Sequence, residues 1–75
     1  MDELVRFIAK SLVDDPDAVQ VETKMDGEYT VIELHVAPAD MGKVIGEQGR
    51  IAKAIRTVVK AASVREDAKY TVEIV

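Results

Sequence analysis

The chain contains no cysteine, and its one histidine is His35. A disulfide framework, a thiolate metal site and a histidine-rich metal centre are therefore excluded. The lack of thiols also fits a reducing compartment. Aromatic residues are limited to Phe7, Tyr29 and Tyr70. That is too few for the interleaved stacking set used by some nucleic-acid-binding sheets, and the core must be aliphatic. No apolar run approaches the roughly 20 residues of a membrane-spanning helix. Met1-Asp2-Glu3-Leu4 carries acid where a secretory leader carries base. The expectation is a cytoplasmic protein without a membrane partner. No nucleophile–base pair, metal cluster or cofactor fingerprint is present. The chain reads as a binding protein, not an enzyme, with no cofactor.

What is there amounts to one small domain, residues 1–75. So short a chain buries a modest core, and its stability margin is thin. The formal net charge of −4, taken alone, argues against a polyanionic partner. Its distribution points the other way. From Met41 to Arg65 the bases Lys43, Arg50, Lys53, Arg56, Lys60 and Arg65 face one acid, Glu47. That segment carries about +5 and the remainder about −9. Ions screen charges beyond about 10 Å, so the local field governs binding.

Hydrophobic periodicity supplies the elements. Leu4, Ile8 and Leu12, with Val5 beside them, form one helical stripe over residues 2–13, with Asp2 as its expected cap. Asp14-Asp15-Pro16 ends it, since a residue before proline avoids helical geometry. Val19, Val21, Thr23 and Met25 alternate with polar residues and predict a half-buried strand. Asp26-Gly27 is a two-residue hairpin signal. Tyr29 to Val36 is the returning strand, with Thr30, Ile32, Leu34 and Val36 on one side. Pro38-Ala39-Asp40 opens a short helix that ends near Ile45, and Asp40 suits its positive end. A longer helix starts near Arg50, with Ile51, Ile55, Val58, Val59 and Ala62 on one stripe, and ends across Ser63–Asp67. Tyr70–Val75 alternates again, with Val72 and Ile74 inward. The order is α-β-β-α-α-β. A crossover through two helices makes the second and third strands parallel. The expected fold is α+β, a three-stranded mixed sheet with three helices on one face.

The informative stretch is Gly46-Glu47-Gln48-Gly49, set between two helices. Two glycines let the chain turn sharply and let another backbone come close. The turn delivers a helix N-terminus, with free N–H groups and partial positive charge, which attracts phosphate. Lys43, Arg50 and Lys53 surround it, and Val44, Ile45 and Ile51 form a candidate apolar shelf for bases. Lys53, Arg56 and Lys60 otherwise read as a solvated helix face, His35 as a surface residue, and Asp14, Asp15 and Asp17 as turn residues.

Val44-Ile45-Gly46-x-x-Gly49-x-Ile51 resembles the signature of KH domains, whose GXXG loop clamps about four nucleotides. The element order resembles the type II, or prokaryotic, KH fold. Leu12-Val13-Asp14-Asp15-Pro16 and Gly42 through Val59 resemble the KhpA family of small bacterial stand-alone KH proteins, and the likeness covers nearly the whole chain. The resemblance implies an RNA chaperone that holds single-stranded RNA. It implies a larger partner of the KhpB (Jag) type, with roles in cell shape and cell-wall biogenesis. The RNA contacts would come from Lys43, Val44, Ile45, Gly46, Glu47, Gln48, Gly49, Arg50, Ile51 and Lys53. Glu47 departs from the pattern, because KH loops usually carry a basic or small residue there. A carboxylate beside phosphate is repulsive, so either Glu47 points to solvent or intrinsic affinity is low and a partner supplies the rest. The alternative is a protein-interaction module of the same fold, with Val59, Ala62 and Val64 serving a homodimer or a partner.

Overall fold

A computed structural model describes residues 1–75. Its elements are α1 (Asp2–Leu12), β1 (Gln20–Asp26), β2 (Tyr29–His35), α2 (Met41–Ile45), α3 (Arg50–Glu66) and β3 (Tyr70–Ile74). Single 3-10 turns at Pro16–Ala18, Pro38–Asp40 and Glu47–Gly49 join them. The α+β class and the α-β-β-α-α-β order are as expected. β2 is the central strand, antiparallel to β1 and parallel to β3.

The core is aliphatic and centres on β2. Ile32 and Leu34 pack with Val5 and Ala9 of α1, Ile55 and Val59 of α3, Val72 of β3, and Val19. Within α1 the buried line runs through Val5 and Ala9. The Leu4–Ile8–Leu12 stripe flanks it, and Leu12 is exposed. Asp2 is not a cap: it is the first helical residue, and its carboxylate lies 3.7 Å from Arg6 one turn on. Within α3 the buried line is Ala52, Ile55, Val59 and Ser63, while Val58 is 45% exposed. Ser63 is still helical and buried, and its hydroxyl donates back to the Val59 carbonyl at 2.8 Å. The helix runs on to Glu66 and stops where Asp67 turns left-handed, φ 52°. The Ala68 N–H then reaches the Ser63 carbonyl at 3.1 Å and closes the end.

β1 departs furthest from expectation. Only Val21 is half-buried, and Met25 is 71% exposed. Alternation implied a covered face, yet β1 is an edge strand whose far end runs past the helices. The hairpin also turns one residue later than Asp26-Gly27 implied. Asp26 pairs with Tyr29, so the loop is Gly27-Glu28. Gly27 takes φ +62° and Glu28 does not go positive, the pattern of a type II′ turn with glycine first.

α2 packs against α3 and α1, and a buried carboxylate fixes where it starts. Asp40 is 2% exposed. It stands at the N-terminal end of α2 as expected, but makes no capping bond there. Instead its Oδ2 accepts the Asp15 N–H at 3.0 Å, across 25 residues. Lys43 Nζ lies 3.5 Å from its Oδ1 and 2.8 Å from Asp14 Oδ2. Burial pushes the Asp40 carboxyl up. The N–H groups of Asp15 and Asp14 and the Lys43 ammonium outweigh that, and hold it below the usual carboxylate value.

Asp40→Ala leaves those donors without an acceptor and is expected to lower the thermal midpoint by several degrees at pH 7, more than Asp14→Ala. A depressed carboxyl contributes stability above its ordinary value of 3.8, and loses it as pH falls through the lower folded-state value. The gap between the urea midpoints of wild type and Asp40→Ala should therefore narrow as pH falls below 3.8.

Candidate nucleic-acid interface

α2 ends because Gly46 adopts φ +75°, ψ 173°, and its N–H closes the last turn on the Gly42 carbonyl at 2.8 Å. A Cβ at Gly46 would stand 2.6 Å from Ile51 Cγ1 and 3.0 Å from the Ile51 nitrogen. The close approach that glycine permits here is thus to the chain's own next helix. Gly49 is glycine for a different reason. It is left-handed at φ +73°, with nothing within 4 Å of where a Cβ would sit. Between them Gln48 is also left-handed, at φ 56°, a conformation that side-chain-bearing residues rarely take. The turn closes with the Gly49 N–H on the Gly46 carbonyl at 3.2 Å.

α3 begins at this turn without a side-chain cap and without an acid in its first turn. Its positive end is left uncompensated by protein groups. Arg50 reaches back to the Gln48 side-chain oxygen at 3.3 Å. Glu47 is exposed. Outside α3, Arg6, Lys24, Lys43 and Lys69 each pair with an acid. Arg50, Lys53, Arg56, Lys60 and Arg65, all on α3, pair with none.

Two expected site residues have other occupations. Val44 is fully buried, so it packs beneath α2 and offers nothing to a base. The Lys43 ammonium is held by Asp14 and Asp40. The hydrogen bond and charge of Asp14, aided by Asp40, raise its pKa, and its charge is already neutralised. Ile45 is exposed, and Ile51 is half-buried against the core. The structure thus brings together the Gly46–Gly49 turn, Arg50, Lys53, Ile45 and Ile51.

Sequence reasoning missed a cleft of about 400 Å³ between α3 and the β3 edge. Arg56 and Lys60 line it from α3, and Tyr29, Lys69 and Tyr70 from the strands and the preceding loop. Arg56 Nε donates to the Val72 carbonyl on that edge at 3.3 Å. The Lys53–Arg56–Lys60 spacing was a signal, but the tyrosines lie about 40 residues apart in sequence. On the opposite face of the sheet, Glu22, Glu33 and His35 also meet, with His35 Nε2 3.9 Å from Glu22. They come from two strands, so spacing did not reveal that either.

An α-β-β-α-α-β fold with a Gly-x-x-Gly turn between its last two helices is that of a KH domain. Comparison with known families agrees, matching residues 2–74 to the KH domain of KhpA and KhpB. The chain is 61% identical over 75 residues to the RNA-binding protein KhpA of Clostridium perfringens, covering all of both chains. It is 60% identical over 75 residues to that of Caldanaerobacter subterraneus, again over the full length of both. Against that of Aquifex aeolicus it is 49% identical over 73 residues, 96% of this chain and 91% of the other. No solved structure matched. The chain belongs to the KhpA/KhpB KH-domain family.

The turn geometry orders the effects of substitution. Gly46→Ala meets both a clash and a positive φ, and should cost about 2 kcal/mol or more. Gly49→Ala meets only the positive φ, at about 1 kcal/mol. Gln48→Gly relieves a strained residue and should stabilise by about 0.5 kcal/mol. Chemical denaturation of the three variants tests that order.

Proposed function

We propose that the chain binds single-stranded RNA through the Gly46–Gly49 turn and the N-terminus of α3. The observation that carries this is the uncapped start of α3, beside two side-chain-free bends, with Arg50 and Lys53 free of acid partners. Phosphates approach the backbone at Gly49, where no Cβ intrudes, and meet the helix end and both cations. Ile45 and the exposed part of Ile51 support a base. Lys43 acts from behind, by holding α2 to the Asp14–Asp15 segment. The name that the relatives carry, RNA-binding protein, supports the same reading.

One such site grips few nucleotides, so intrinsic affinity is weak and salt-sensitive. Weak, sequence-tolerant holding is the behaviour of an RNA chaperone, and a second RNA-binding module would raise affinity through linkage. A larger KhpB-type KH protein is the partner this reading favours, since one family spans both. The whole chain acts as a single module, without catalysis, in the cytoplasm.

NMR titration with short RNA and DNA oligomers at low salt tests the reading. Amides between Lys43 and Lys53 should move, more for RNA if the 2′-hydroxyl is read. Unmoved amides there would end the proposal. Lys53→Ala should reduce the slope of log affinity against log salt by about 0.7, the share of one phosphate contact on a single strand. Lys43→Ala should leave that slope alone and lower stability instead. Glu47→Lys should tighten binding.

A second reading, a KH-fold protein-interaction module, is favoured by one feature. Ile8 and Leu12 of α1 and Ile51, Ala54 and Val58 of α3 line an apolar groove. Leu12 is 38% exposed in it. Of the surface expected from sequence, Val59 is buried in the core, whereas Val64 is 76% exposed and Ala62 half-buried. Val58→Glu should abolish any association with a protein partner that survives nuclease treatment, while leaving the RNA titration unchanged.

A further inference from the structure

The face of the sheet turned away from the helices carries a mixed cluster that the turn does not use. Glu22 of β1 and Glu33 of β2 are paired in register. His35 follows Glu33 by two residues, so its side chain leaves the same face. One ligand atom from each of the three lies within 4.8 Å of the others. A single histidine rules out a histidine-rich centre, but not a site built from one imidazole and two carboxylates.

Two features separate this cluster from ordinary surface charge. The first is His35. Its side chain is 39% exposed, yet its Nε2 is closed off from solvent and has no hydrogen-bond partner. The Glu22 carboxylate lies 3.9 Å from it, too far for a hydrogen bond. A buried nitrogen without a partner is costly, and a cation held between it and the carboxylates satisfies all three. The second feature is a row of like charge. Glu33 is also paired in register with Glu73 of β3, so carboxylates stand side by side on all three strands. Like charges directly opposite one another destabilise a sheet. Lys24, 2.9 Å from Glu33, is the ammonium that answers them.

We propose that Glu22, Glu33 and His35 bind a divalent first-row transition ion of the zinc type, through His35 Nε2 and an oxygen from each carboxylate. Zinc holds imidazole and carboxylate at about 2.0–2.2 Å, which sets ligand atoms about 3.4 Å apart around a tetrahedral ion. Glu22, 66% exposed, swings in to close the difference. Lys24 occupies one oxygen of Glu33 and is the ion's competitor. Magnesium and calcium prefer oxygen ligands and gain nothing from imidazole. Three protein ligands leave a fourth position to water. Bound across β1 and β2, the ion fastens the edge strand, in which only Val21 is half-buried. The site is independent of the reading of the turn, which lies on the other side of the molecule's sheet.

Titrating the untagged chain with zinc chloride near pH 7.5, above the ordinary imidazole value of about 6.5, tests this by NMR and calorimetry. Zinc should shift the His35 ring resonances and the Glu22 and Glu33 amides, leave the Gly46–Gly49 amides in place, and raise the thermal midpoint. His35→Ala should weaken binding at least about tenfold, the loss that follows even from removing an outer-shell partner of a metal. Lys24→Ala should tighten it about fivefold, by removing a competing unit charge beside the site. Glu22→Gln changes a more exposed residue and repeats the ligand test if His35→Ala does not fold. Unmoved His35 resonances, or ligand variants that bind zinc as tightly as wild type, overturn the site. So does magnesium chloride producing the same shifts as zinc, because the cation is then only screening a row of acids.

Discussion

At Gly46 the backbone lies against Ile51, and no other residue type leaves room there. The contact decides how α2 and α3 meet. It sets the angle at which the long helix leaves the turn, and hence where its positive end points. It also seats Ile51 against the core, so the turn is anchored to the hydrophobic interior and does not hang from it. Gly49 has no packing role. Its open side is what an incoming backbone would meet. The two glycines of one motif therefore perform separate tasks, one internal and one facing solvent.

Charge is arranged with the same division. The acids neutralise the bases outside α3, apart from Lys10, whereas the bases on α3 are left free. An acidic protein thus carries one cationic side, close to a helix end of the same sign. Each contribution is small in water. They act together over distances comparable to a Debye length, and they converge on the turn. The opposite face of the sheet carries Glu22, Glu33 and Glu73, with Lys24 paired to Glu33 at 2.9 Å, so the two sides of the molecule differ in sign.

Much of the candidate site's geometry was legible because it is local. The Gly-x-x-Gly turn, the helices on either side and the cluster of bases all lie between Met41 and Arg65. Departures from expectation arose where burial or pairing depended on distant neighbours. Val44 belongs to an apolar run beside the motif, yet α2 packs that side chain inward. Lys43 lies beside the loop, yet its ammonium reaches Asp14, 29 residues earlier. Asp40 suited a helix cap by position, yet its carboxylate serves the N–H of Asp15. In β1, alternation correctly marked a strand, and the sheet's outline left most of it uncovered.

The amino-acid order by itself determined the elements, the parallel pairing of β2 with β3, the turn and the concentration of positive charge. These depend on spacing along the chain, on glycine's freedom and on hydrophobic period, all local properties. Only the tertiary structure decided which bases remain free, which valines are buried, and that Tyr29 and Tyr70 share a cleft with Arg56 and Lys60. Those outcomes depend on distances between residues remote in sequence. Such distances exist only once helices and sheet have packed around a common core.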